Sequence, residues 1–125
     1  MAKKEVNERV KPIILTDTES GTEYTLEFNR ESIKFAESRG FKIDEVGDYP
    51  MSKVPELFFY AFRMHHKNVS REKTDKMIFD PDYGFGGLSD LPEGLVERLF
   101  QLYNQPFEAT KTESERKNSK LTVVL

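Results

Sequence analysis

"KPIILTDTESGTEYTLEFNRESIKFAESRG", residues 11–40, changes its periodicity partway along, and that change decides the fold class. Ile13 to Thr16 and Glu23 to Phe28 are β-rich runs. The polar stretch Asp17 to Thr22 between them holds Gly21, a residue at ease with positive φ. The spacing predicts a β-hairpin. In its second strand Tyr24, Leu26 and Phe28 alternate with Glu23, Thr25 and Glu27, so one face is expected to be buried and the other wet. From Asn29 onward the pattern is helical. Asn29 is the expected N-cap, Glu31 lies in the first turn, Ile33, Phe35 and Ala36 give a thin apolar edge, and Gly40 is the stop. Because an isolated hairpin is marginal in water, its apolar face must rest on helices.

The remaining sequence supplies them. Phe41, Ile43 and Val46 anchor a connection that Gly47 and Pro50 close. Ser52 is expected to cap a helix over residues 53–68, with Pro55 tolerated in its first turn. At about 100° per residue, Val54, Leu57, Phe58, Ala61, Phe62, Met64 and His65 fall on one arc of that helix, with His66 at its edge beside Phe59. Ser70 caps a second, shorter helix in which Glu72 and Lys76 stand at i, i+4 and Met77, Ile78 and Phe79 lie at the end. "DPDYGFGGLSD", residues 80–90, reads as a loop. Pro92 opens a last helix whose apolar face is Leu95, Val96, Leu99, Phe100, Leu102, Tyr103 and Phe107. The chain therefore reads as α+β: an N-terminal β-hairpin packed on a bundle of about four α-helices. A charged segment over 1–10 leads into one domain over 11–109. A polar tail follows over 110–125 and ends in the apolar "LTVVL".

Composition narrows the function classes. Acids and bases nearly cancel to a formal net charge of −3, so the chain lacks the overall field that holds a polyanion, and nucleic acid is not an expected partner. With no cysteine there is neither a disulfide framework nor a thiolate zinc site. "MAKKEVNERV" has the positive start of a signal peptide without an apolar run after it. No stretch reaches the ~20 apolar residues of a membrane span, so a soluble cytoplasmic protein is expected. In that compartment the sequon Asn68-Val69-Ser70 has no glycan to accept.

The chemical signals are weak one by one. His65 and His66 are the only histidines; neighbours on a helix diverge by about 100°, a poor chelate beside the i, i+4 pair of a zinc helix. A packed or hydrogen-bonded His65 and an exposed His66 are expected instead. Residues 84–87, "GFGG", lack the lysine of a phosphate loop. Asp80 and Asp82 do not meet the spacing of a calcium loop, and no nucleophile elbow is present. No enzyme, cofactor, metal or small-molecule substrate is expected. What stands out is aromatic area: ten Phe and five Tyr are more than a small core easily hides. Phe58, Phe59, Phe62, Phe100, Tyr103 and Phe107 are the candidates for a groove that takes an apolar helix, and self-association is a further use for such surface.

Three runs carry a resemblance. "EYTLEFNRESIKFAESRGF", "PELFFYAFRMHHKNVSREKTDKM" and "LPEGLVERLFQLYNQPFEA", within residues 22–109, resemble small proteins encoded among the tail genes of Gram-positive phages and prophages and regarded as tail assembly chaperones. The resemblance implies a non-enzymatic helical protein that binds the tape measure protein, helps recruit tail tube subunits around it, and is absent from the finished virion. Several such chaperones self-associate, and several are made in two lengths by frameshifting. A structural tail completion or joining protein, retained in the particle, is the alternative.

Overall fold

The computed structural model describes residues 9–108 and 120–125. The expected lead-in over 1–10 and tail over 110–125 fall mostly on 1–8 and 109–119, which lie outside the described residues. Strands β1 (Ile13–Asp17) and β2 (Thr22–Leu26) form a two-stranded antiparallel hairpin with Leu15 opposite Tyr24. Among the described residues four helices follow: α1 (Arg30–Ser38), α2 (Pro50–Tyr60), α3 (Arg71–Phe79) and α4 (Leu95–Asn104). Single 3-10 turns lie at Ile43–Glu45, Leu88–Asp90 and Gln105–Phe107. The architecture is α+β, a hairpin on four helices.

Helix α2 is central and touches α1, α3 and α4. Its Val54, Leu57, Phe58 and Tyr60, continued by Ala61 and Phe62, meet Leu26 and Phe28 from the hairpin side, Ile33 and Ala36 of α1, Met77 and Ile78 of α3, and Leu99, Leu102 and Tyr103 of α4 in one core. Aromatic edges lock the layers: Phe28 meets Tyr103 at 5.0 Å and Tyr24 meets Phe62 at 5.4 Å, both T-shaped.

Helix α1 starts as expected. Asn29 Oδ1 accepts the Ser32 N–H and Ser32 Oγ accepts the Asn29 N–H, a reciprocal capping box. Helix α3 starts on Ser70, whose Oγ accepts the Lys73 N–H. Helix α2 departs from expectation at both ends. It begins on Pro50, whose ring presets the first helical φ, and Ser52 donates back to the Tyr49 carbonyl instead of capping. It ends at Tyr60, eight residues before the expected stop, because the Ala61 carbonyl leaves the helical ladder to accept the Glu27 N–H at 3.0 Å. Residues 61–65 continue as turns. Tertiary pairing with the hairpin has overridden helical periodicity. Helix α4 likewise starts later than Pro92, at Leu95, behind Gly94 with φ +85°.

The hairpin also differs in detail. Asp17 and Thr22, expected in the turn, pair as its last rung, and Asp17 is buried. Glu27, expected on the wet face, is buried beyond the end of β2.

Candidate interaction surface

Three polar clusters tie the hairpin to the helices. Asp17 Oδ1 accepts the N–H groups of Glu19 and Ser20, while its Oδ2 accepts the Tyr83 hydroxyl at 2.6 Å with Lys73 Nζ 3.7 Å away. The Tyr83 hydrogen bond, then the two backbone N–H groups and Lys73, hold the Asp17 carboxyl below the usual carboxylate range against the opposing effect of burial. Burial first, and the Asp17 bond next, push the Tyr83 phenol up. Both groups titrate away from neutrality, which suits a structural clasp better than proton transfer.

Glu27 accepts Arg9 Nη2 at 2.8 Å and lies 2.9 Å from His65 Nε2. His66 Nε2 accepts the Thr25 N–H at 2.9 Å while its ring meets Tyr24 edge-on at 5.2 Å. Burial, then the adjacent His65, hold the His66 imidazole below its ordinary pKa, so the neutral acceptor form is favoured. His65 is thus hydrogen-bonded, as expected, whereas the expectation of an exposed His66 is corrected. The helix stops before both residues, and the turn aims His66 at the hairpin and leaves His65 the more exposed of the two. Among the described residues no group of three His, Cys, Asp or Glu side chains is placed to hold a metal ion.

The glycine-dense loop closes α3. Phe85 N–H donates to the Met77 carbonyl and Gly87 N–H to the Ile78 carbonyl, satisfying the end of the helix. Asp80 Oδ1 accepts the N–H groups of Asp82 and Tyr83, and those two bonds lower its pKa.

Of the six aromatics expected to line a groove, Phe58, Phe62 and Tyr103 are core residues with 1% exposure each. The same apolar arc that made them groove candidates packs them inward, and burial pushes the Tyr103 phenol up to about 12. Phe59 and Phe100 are half-buried at the core margin, and Phe107, 65% exposed, lies beside Tyr103 at 6.1 Å between ring centres. The six do not form one open groove. Outward apolar area comes instead from Phe107 together with Ile14, Tyr49, Met51 and Phe79, of which Met51 is 68% exposed. Sequence reading missed Tyr49 and Met51. Their signal was Pro50, which fixes a helix start and so places its two neighbours at an exposed tip.

Two shallow depressions border β1. One of about 270 Å³ lies between residues 15–19 and Met77 with residues 82–85. The other, about 500 Å³, lies between residues 12–16 and Phe85, residues 92–95 and Arg98. They share Leu15, Thr16 and Phe85, and so form one trough along the strand. Among the described residues no helix is long and apolar enough to cross a membrane.

A family model described as Domain of unknown function (DUF5055) matches residues 1–125. No curated protein and no solved structure matches the chain.

Proposed function

We propose that this chain, which belongs to the DUF5055 family, is a non-enzymatic phage tail assembly chaperone that binds the tape measure protein and helps recruit tail tube subunits. One observation carries the reading beyond resemblance. Ile14, Tyr49, Met51, Phe79 and Phe107 lie outside the buried core and keep part of their apolar surface exposed, where it costs solubility. Flexible Met and aromatic side chains of this kind accept the apolar stripe of an amphipathic helix. Phe59 and Phe100 contribute from the core margin. In this reading the protein works in the cytoplasm of the bacterial host and leaves before the virion is complete.

Co-expression with the tape measure protein encoded nearest to it tests the reading. A soluble tape measure that co-elutes with the chain is the expected result. Replacing Met51 and Phe107 together by Ser should lose co-elution without lowering the melting temperature. An insoluble tape measure, with the chain alone in the eluate, overturns the proposal; recovery of the chain from purified particles would favour a tail completion or joining protein.

A further inference from the structure

The hairpin has one covered edge and one open edge. Thr25 N–H points away from β1, to His66, and Glu27 N–H points away likewise, to Ala61, so the outer side of β2 is occupied by the turn after α2. In an antiparallel ladder the N–H and C=O of one residue point the same way. Thr25 opposite Ile14 is therefore a non-hydrogen-bonded pair, and Ile14 and Thr16 direct their N–H and C=O groups outward from β1. Those groups have no partner among the described residues. Ile14 is also 56% exposed. The edge carries no bulge, and only Pro12 just before it and the inward Asp17 at its far end blunt it, which leaves Ile14 and Thr16 open between them. The trough bounded by Phe85, Leu95 and Arg98 runs alongside.

The same chain carries a segment of matching chemistry. Leu121-Thr122-Val123-Val124-Leu125 is β-prone, and Val123, Val124 and Leu125 stand exposed. We propose that the β1 edge receives residues 121–125 of a second copy as a third, antiparallel strand. Antiparallel entry sets Lys120, just before the segment, toward Glu19 and Asp82 at the turn end of the trough; parallel entry would bring it to the end that holds Lys11 and Arg98. Alternation then places Leu121, Val123 and Leu125 on one face, continuing Ile13 and Leu15, and Thr122 and Val124 on the other, beside Ile14 and Thr16. Residues 109–119 reach about 36 Å when extended, so two copies can exchange segments reciprocally and close a two-fold dimer. Such exchange requires no tape measure partner.

Sedimentation velocity over a wide concentration range, paired with hydrogen exchange at Ile14 and Thr16, tests this on the full chain. Expected are a shift from monomer to dimer mass as concentration rises, with slower exchange of those two amides in the dimer, and loss of both in Val123→Pro. Glu19→Lys should weaken dimerisation about two- to fivefold, and Lys120→Glu in the same chain should restore it. A wild-type chain that stays monomeric, a dimer indifferent to Val123→Pro, or protection of Ile14 and Thr16 that does not vary with concentration would each overturn the proposal. The last of these would assign the edge to the molecule's own tail.

Discussion

Asp17 is where the hairpin turn, α3 and the loop after α3 meet, and its carboxylate is saturated by Glu19, Ser20 and Tyr83. Tyr83→Phe removes the shortest of these contacts and strands a buried acceptor, which should lower the melting temperature by about 5 °C. Because the folded carboxyl titrates below its unfolded counterpart, the contact contributes in full above roughly pH 4 and is lost as pH falls through the folded value. The gap between wild type and Tyr83→Phe in thermal melts should therefore be constant near neutrality and shrink in acid. His66 has the opposite chemistry and the same direction. Its folded form is held neutral, the unfolded form takes up a proton below about pH 6.5, and stability should decline below that pH. His66→Ala should abolish that slope in denaturant titrations on either side of it. It should also cost about 1–2 kcal/mol by unpairing the Thr25 N–H. Neither role was legible from sequence, since Asp17 looked like an ordinary turn residue and His66 like the outer member of a pair.

At the scale of elements, legibility followed locality. The caps at Asn29 and Ser70 depend on bonds that span three residues, and the sequence displayed them. Ser70→Ala should cost about 1 kcal/mol in equilibrium unfolding. The early end of α2 was not visible, because it is fixed by the Glu27–Ala61 bond to a distant residue just past β2 while the local apolar arc runs on through Met64. The groove of six aromatics failed for a related reason: periodicity tells which residues share a face but not whether another element covers it. The loop "GFGG" is a third case. Gly84 packs against the backbone at the end of α3, and a Cβ there would overlap the Lys76 and Met77 carbonyl oxygens. Gly84→Ala should destabilise the domain by about 2–4 kcal/mol, measured by chemical denaturation, whereas Gly47→Ala, which meets open space at ordinary φ, should be close to neutral.

For the whole molecule, the aromatic residues divide into two populations that experiment can separate. Phe58→Ala, inside the core, should cost about 3–5 kcal/mol, whereas Phe107→Ser should leave the unfolding midpoint almost unchanged and report only on partner binding. Comparable losses from both would mean that Phe107 is not surface. The two ends of the domain are also stitched together: the Val10 N–H donates to the Gln105 side chain, and Arg98 donates to the Lys11 carbonyl at 3.2 Å. Val10 and Gln105 are separated by 95 positions in the chain. At a translation rate of about 5–20 residues per second, the first of these groups waits roughly 5 to 20 seconds for the second to be made. During that interval Phe28, which meets Tyr103 at 5.0 Å in the finished fold, still lacks that partner, and the last helix supplies it.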